Sequence, residues 1–120
     1  MKTMLALAAA GLLAAAPAAA QAPSGESLFK QRCSACHTIE AGGAAKLGPP
    51  LRGVVGRAAG AVPGFAYSSA LKQSGAKWDK PTLDGYLARP AAKFPGTKML
   101  VGVPAADQRA AIILYLASKK

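Results

Sequence analysis

The chain has 120 residues, with 15 Lys and Arg against 5 Asp and Glu, a net charge of +10 and two cysteines. That length fits one domain and leaves no room for two. Charge of this size bears on association and solubility rather than on fold, and no run of Lys or Arg resembles a nucleic-acid-binding arm.

Residues 1–20 read as an export signal. Lys2 supplies a positive start, Met4 to Ala16 is an uncharged apolar run, and Ala18-Ala19-Ala20 offers the small residues a signal peptidase needs. The run is too short and alanine-rich to span ~30 Å of hydrocarbon comfortably. The expectation is therefore a cleavable signal over 1–20, one domain over 21–120, and a bacterial periplasmic destination. Loss of Lys2 lowers the charge by one and leaves the domain strongly basic, which suits an acidic protein surface as partner. The domain is rich in Ala, Gly and Pro, so its core is thin for a free-standing fold of this size. Something apolar from outside would complete it.

The first helix is predicted from about Ser24 to Cys36. Ser24 can cap it, Glu26 suits its positive end, and Leu28, Phe29, Cys33 and Cys36 fall near one face. Ala41 to Tyr67 follows, rich in Gly and Pro and without periodicity. A structureless loop of that length is unusual in a compact domain, and it makes sense if it wraps something large. Ser68 to Gln73 is a short helix stopped by Ser74-Gly75. Asp79 to Ala88 is another, with Asp79 as its cap, Leu83, Tyr86 and Leu87 inward, and Pro90 ending it. The last helix begins near Pro104 and carries Ile112, Ile113, Tyr115 and Leu116 on one side. No segment alternates as a strand does, so the fold class is all-α.

The chemistry is concentrated in Cys33-Ser34-Ala35-Cys36-His37. A C-x-x-C pair alone suits a redox disulfide, half a zinc site or haem attachment, and a histidine directly after it marks haem attachment. Two thiols three residues apart can add to the two vinyl groups on one porphyrin edge, and the next residue then lies under the ring. Zinc fails on supply, because two Cys and one His are all the chain owns and structural zinc usually takes four such ligands. A thioredoxin-like reading lacks its βαβ setting. A plain disulfide would close only a tiny loop and add little stability. The chain is thus expected to carry one haem c through Cys33 and Cys36, with His37 on the iron. Beyond residue 20 the sole methionine is Met99, in the turn-rich string Pro95-Gly96-Thr97-Lys98-Met99. It is the leading candidate for the sixth iron position. Its rivals are Lys98, the amine of the cleaved N-terminus, and an open site. Imidazole and thioether together close both faces and favour electron cycling, whereas an open face invites ligand sensing or peroxide chemistry.

These residues name a family. Beyond residue 20 the chain resembles the class I cytochromes c, and among them the mitochondrial protein and its bacterial relatives. The resemblance rests on Cys33 to Thr38, Gly48-Pro49-Pro50-Leu51-Arg52-Gly53, Gly56-Arg57, Tyr67-Ser68, Lys77-Trp78, Tyr86-Leu87 and Pro95 to Met99. It implies a small helical fold around one haem, with His37 and Met99 as axial ligands and the Pro49 carbonyl orienting the His37 ring. It further implies that Arg57, Tyr67, Ser68 and Trp78 meet the haem propionates and that Tyr86 and Thr97 are polar neighbours on the methionine side. Gly25, Phe29 and Tyr115 would form the crossing of the first and last helices. The implied function is that of a monomeric electron carrier, not an enzyme, in transient complexes with a reductase such as a quinol–cytochrome c reductase and a terminal oxidase or dehydrogenase. A carrier bound permanently to one dehydrogenase is a rival. The chain departs from the family at Pro50, Arg52, Ala91, Ala92 and Val101 and is one residue shorter between Met99 and Arg109. Several of these lie where partners meet, so the resemblance does not carry partner identity.

Overall fold

The computed structural model describes residues 6–13 and 22–120. Residues 6–13 of the expected signal have no regular structure, and Leu7, Leu12 and Leu13 are exposed. The expected cleavage point after Ala20 lies outside the described residues. Among the described residues no helix is long and apolar enough to cross a membrane.

Five helices and no strand occur among the described residues, as the all-α reading expects. Helix α1 spans Gly25–Arg32, and the Ser24 hydroxyl accepts the Ser27 amide hydrogen at 3.1 Å. The helix ends earlier than its sequence spacing suggests. The amides of Cys33 and Ser34 both donate to the Phe29 carbonyl, at 2.8 and 3.0 Å, and this shared acceptor turns the chain out of the helix. A separate turn follows, in which the Cys36 and His37 amides both donate to the Cys33 carbonyl. The C-x-x-C-H string is therefore a turn at a helix end rather than helix itself.

Helix α2 (Ser69–Gln73) is capped by Ser68, which accepts from the Leu71 amide at 3.2 Å, and it stops before Gly75, whose φ is +65°. Helix α3 (Lys80–Ala88) is capped by Asp79, which accepts from the Thr82 amide at 2.8 Å. Hydrogen bonding from the Thr82 side chain and amide holds the exposed Asp79 carboxyl below its ordinary pKa. Helix α4 (Pro90–Lys93) is absent from the sequence reading. Proline lacks the amide that a first helical turn leaves free, so Pro90 both ends α3 and starts α4. Helix α5 spans Ala106–Ser118 and buries Ile112, Ile113 and Leu116.

Helix α5 crosses α1 and also packs on α3. At the first crossing a Cβ on Gly25 would run into the Ala111 carbonyl and the Tyr115 side chain, so only glycine permits that approach. Phe29 and Tyr115 meet there with centroids 5.5 Å apart. The core around these helices is Leu28, Phe29, Leu83, Tyr86, Leu87, Ile112, Ile113 and Leu116, joined by Val54, Trp78 and Val103 from the connecting segments.

The long connection over residues 41–67 has an anchor. Its Gly56 amide donates to the Trp78 carbonyl at 2.7 Å, the Trp78 amide returns to Arg57 at 2.8 Å, and Ala58 and Lys77 form a single antiparallel bridge. The loop is thereby held against the segment that leads into α3.

Candidate functional site

The turn after α1 brings Cys33, Cys36 and His37 together, all partly buried, with no disulfide between the two cysteines. Burial pushes the Cys33 thiol above its ordinary pKa, with Arg32 opposing. Among the described residues no group of three or more His, Cys, Asp or Glu gathers as a metal-binding cluster.

The His37 ring is fixed from two directions. Its Nδ1 is 2.8 Å from the Pro49 carbonyl, an acceptor only, so Nδ1 carries the hydrogen and Nε2 keeps its lone pair. Gly48 lies flat against the ring, and a Cβ there would overlap the imidazole. Burial lowers the His37 pKa, the Pro49 bond opposes this, and the positive charge of Arg57 adds to the lowering. The imidazole is thus held neutral, in the tautomer that can ligate a metal through Nε2. The turn itself is tied down: the Gly48 amide donates to the Cys36 carbonyl at 2.8 Å and the Leu51 amide to Thr38 at 2.9 Å.

Arg57 reaches back over the same segment. Its guanidinium donates to the Pro50 carbonyl at 3.0 Å and, at 3.5 Å, to that of Arg52. Its Nε is the one buried side-chain nitrogen or oxygen among the described residues without a hydrogen-bond partner. Burial lowers the Arg57 pKa, and Tyr67 lies near enough to oppose that shift. The Tyr67 hydroxyl accepts from the Val62 amide at 3.1 Å and the Ser68 hydroxyl from Leu71, which leaves the hydrogen of each to donate. Trp78 is buried, and its amide donates to the Arg57 carbonyl.

On the other side, Met99 is partly buried against the core. The Tyr86 hydroxyl and Thr97 Oγ1 are 2.6 Å apart in a buried pair two residues before it. Burial raises the Tyr86 pKa, with Thr97 opposing, so the phenol stays neutral. Phe94, which the sequence reading passed over, closes an aromatic trio: its centroid is 5.6 Å from Tyr86 and 5.9 Å from Trp78, and those two are 5.0 Å apart. The Gly48 contact was also missed. Phe94 could have been found from a Pro90 start to a second helix; Gly48 has no such local signal.

A family model described as "Cytochrome c" matches residues 22–120. The chain belongs to the cytochrome c family. It is 49% identical over 94 residues to cytochrome c type-1 of Ascaris suum, covering 78% of this chain and 83% of that one. It is 48% identical over 96 residues to the cytochrome c-type cyt cy of Rhodobacter capsulatus, covering 79% of this chain but 47% of the relative. Among solved structures, cytochrome cH from Methylobacterium extorquens superposes with a TM-score of 0.71 at 45% identity, covering 79% of this chain and 95% of that one. Membership makes this cytochrome a haem-bearing electron carrier with redox partners, not an enzyme, and its cofactor is covalent haem c on the cysteine pair.

The residues fit that group. A buried guanidinium hydrogen without an acceptor costs about 1–3 kcal/mol, and a haem propionate is the kind of acceptor Arg57 Nε lacks. The hydroxyl hydrogens of Tyr67 and Ser68 can serve the same carboxylates. The neutral His37 ring presents a free Nε2, and the partly buried thioether of Met99 is a soft ligand of the kind iron accepts.

Proposed function

We propose that this cytochrome is an exported single-electron shuttle, with His37 and Met99 as its axial ligands, working in the periplasm between a quinol–cytochrome c reductase and a terminal oxidase or dehydrogenase. The observation that supports it most is the His37 ring, with Nδ1 committed to the Pro49 carbonyl at 2.8 Å and Nε2 left for a metal. Bound haem supplies an iron that takes up one electron and gives it back. His37 would bind that iron through Nε2, and the Pro49 carbonyl, bonded to Nδ1, would keep the ring in the required tautomer. Met99 would supply the second protein ligand, a thioether that would raise the reduction potential. Arg57, Tyr67, Ser68 and Trp78 neutralise or bond the propionates. Tyr86, Thr97 and the aromatic trio keep water from the methionine side.

The basic surface supports brief encounters with acidic partners, since complementary charge speeds association more than it tightens the complex. The bacterial relatives and the leader-like residues 1–20 support export, with cleavage after Ala20 and a monomeric domain over 21–120. Absorption spectra of the oxidised and reduced holoprotein, with Met99→Ala alongside, test the ligand set. A near-infrared sulfur-to-iron band in the oxidised wild type, lost in the variant, is expected. A high-spin wild type that binds added ligands readily would instead indicate an open iron. The rate of reaction with the partner should fall as salt rises, and a salt-independent rate would overturn electrostatic docking.

A further inference from the structure

Arg52 stands on the exposed side of the segment that orients His37. Its Nε donates to the Lys120 main-chain oxygen at 3.0 Å, and the adjacent Gly53 amide donates to the Lys119 carbonyl at 2.7 Å. These two bonds clasp the turn at residues 51–54 to the end of α5. The turn is a defined one: the Val54 amide closes on the Leu51 carbonyl at 3.0 Å, and Gly53 takes a φ of +75° that other residues avoid. Between this turn and the His37 ring lie two consecutive prolines, Pro49 and Pro50. Each proline ring locks its own φ, and Pro50 also restricts Pro49, so that stretch transmits a displacement instead of absorbing it. The Pro49 carbonyl at its far end is the acceptor for His37 Nδ1. Arg57 adds a second link, since its guanidinium grips the carbonyls of Pro50 and Arg52 together.

We propose that the clasp of Arg52 on the end of α5 makes it a positioning residue for the Pro49 carbonyl, and through that carbonyl for the His37 imidazole. The inference rests on the reading of His37 as an iron ligand. A carbonyl bonded to the distal nitrogen of a ligating histidine raises its basicity toward the metal, which favours the oxidised iron. Slack in the clasp weakens that bond and raises the reduction potential. A merely structural clasp lowers stability without touching the His37 ring.

Substitution at Arg52 separates charge from hydrogen bonding. Arg52→Gln removes the charge but keeps an N–H donor at the position of Nε, the same number of bonds from the backbone. Arg52→Ala removes both. The readouts, on the reduced holoprotein, are solvent exchange of the His37 Nδ1 hydrogen by NMR and the reduction potential. Arg52→Ala is expected to exchange about tenfold faster, the effect of losing one hydrogen bond's worth of local protection, and Arg52→Gln to stay near wild type. The potential of the Ala variant should lie above that of the Gln variant, a comparison at equal charge. Asp84→Asn, which weakens a tether of α5 elsewhere, should leave His37 exchange unchanged. Unaltered exchange in Arg52→Ala, equal acceleration in both Arg52 variants, or equal acceleration in Asp84→Asn would each overturn the proposal. The wild-type spectrum tests the ligand reading beforehand, so a low-spin wild type with an unaffected Arg52→Ala condemns the clasp alone.

Discussion

The segments bearing His37 and Met99 are held by different means. On the His37 side the main chain is bonded at short intervals: Gly48 to Cys36, Leu51 to Thr38, Val54 to Leu51, Gly56 to Trp78 and Gly53 to Lys119. On the Met99 side the Thr97 amide closes on Phe94 and the Val103 amide on Leu87 at 2.7 Å, and among the described residues 98–102 form no main-chain bond at all. Side chains do the holding there: Tyr86 on Thr97, Lys98 on the Ala66 carbonyl, and Arg109 on the carbonyls of Val103 and Pro104 while paired to Asp84 at 2.8 Å. Leu100 and Val101 are about three-quarters exposed. A continuous backbone ladder makes a ligand hard to displace, whereas a strap pinned at its ends can lift with little loss elsewhere. The difference predicts that the methionine side yields first under stress.

The largest effect is expected where the ladder meets the ring. Gly48→Val would drive a branched side chain into the His37 imidazole and should cost at the top of, or beyond, the range of about 1–3 kcal/mol seen for overpacking. Denaturant unfolding of the holoprotein measures it, and a near-wild-type midpoint would mean that the His37 side is looser than its bonds indicate. Next comes the buried pair on the methionine side. Tyr86→Phe leaves the Thr97 hydroxyl buried without its partner, a loss of about 1–3 kcal/mol, while adding Thr97→Val should recover part of it because no polar group is then stranded. If the double variant is as unstable as the sum of the singles, the hydroxyl pair is not what anchors that end of the strap.

Much of this was legible in the sequence, and the reason is local chemistry. Ser24 and Asp79 each cap the helix expected of them, because a short polar side chain before an apolar run has one favourable use, and Ser68, expected as the first residue of its helix, is the cap of that helix instead. Gly25, Phe29 and Tyr115 meet as the family resemblance implies. The end of α1 was misplaced because Leu28, Phe29, Cys33 and Cys36 keep helical spacing through a stretch that a shared carbonyl acceptor bends away. Helix α4 is four residues long, too short to show a period, and its proline signals a stop as well as a start. Gly48 against His37 and Arg57 over Pro50 and Arg52 depend on how distant segments meet. Family resemblance named Arg57, but nothing in the spacing shows which carbonyls it grips or that its Nε is left without a partner.

The smallest effect is the most discriminating test of the comparison. Lys98 donates to the Ala66 carbonyl at 3.0 Å across an exposed gap, and this is the bond that ties the start of the methionine strap to the loop before α2. Lys98→Ala should cost well under about 1 kcal/mol of global stability, since water replaces an exposed bond cheaply. Its effect on the strap should be out of proportion to that figure, because residues 98–102 have no main-chain bonds to fall back on. A denaturant titration followed by the near-infrared thioether band and by far-ultraviolet dichroism separates the two. In the wild type the band should fade slightly before the helices melt, and in Lys98→Ala the gap between the midpoints should widen while the helical midpoint barely moves. If both probes shift together, the strap and the helices unfold as one unit, and the Met99 side is held no more loosely than the His37 side.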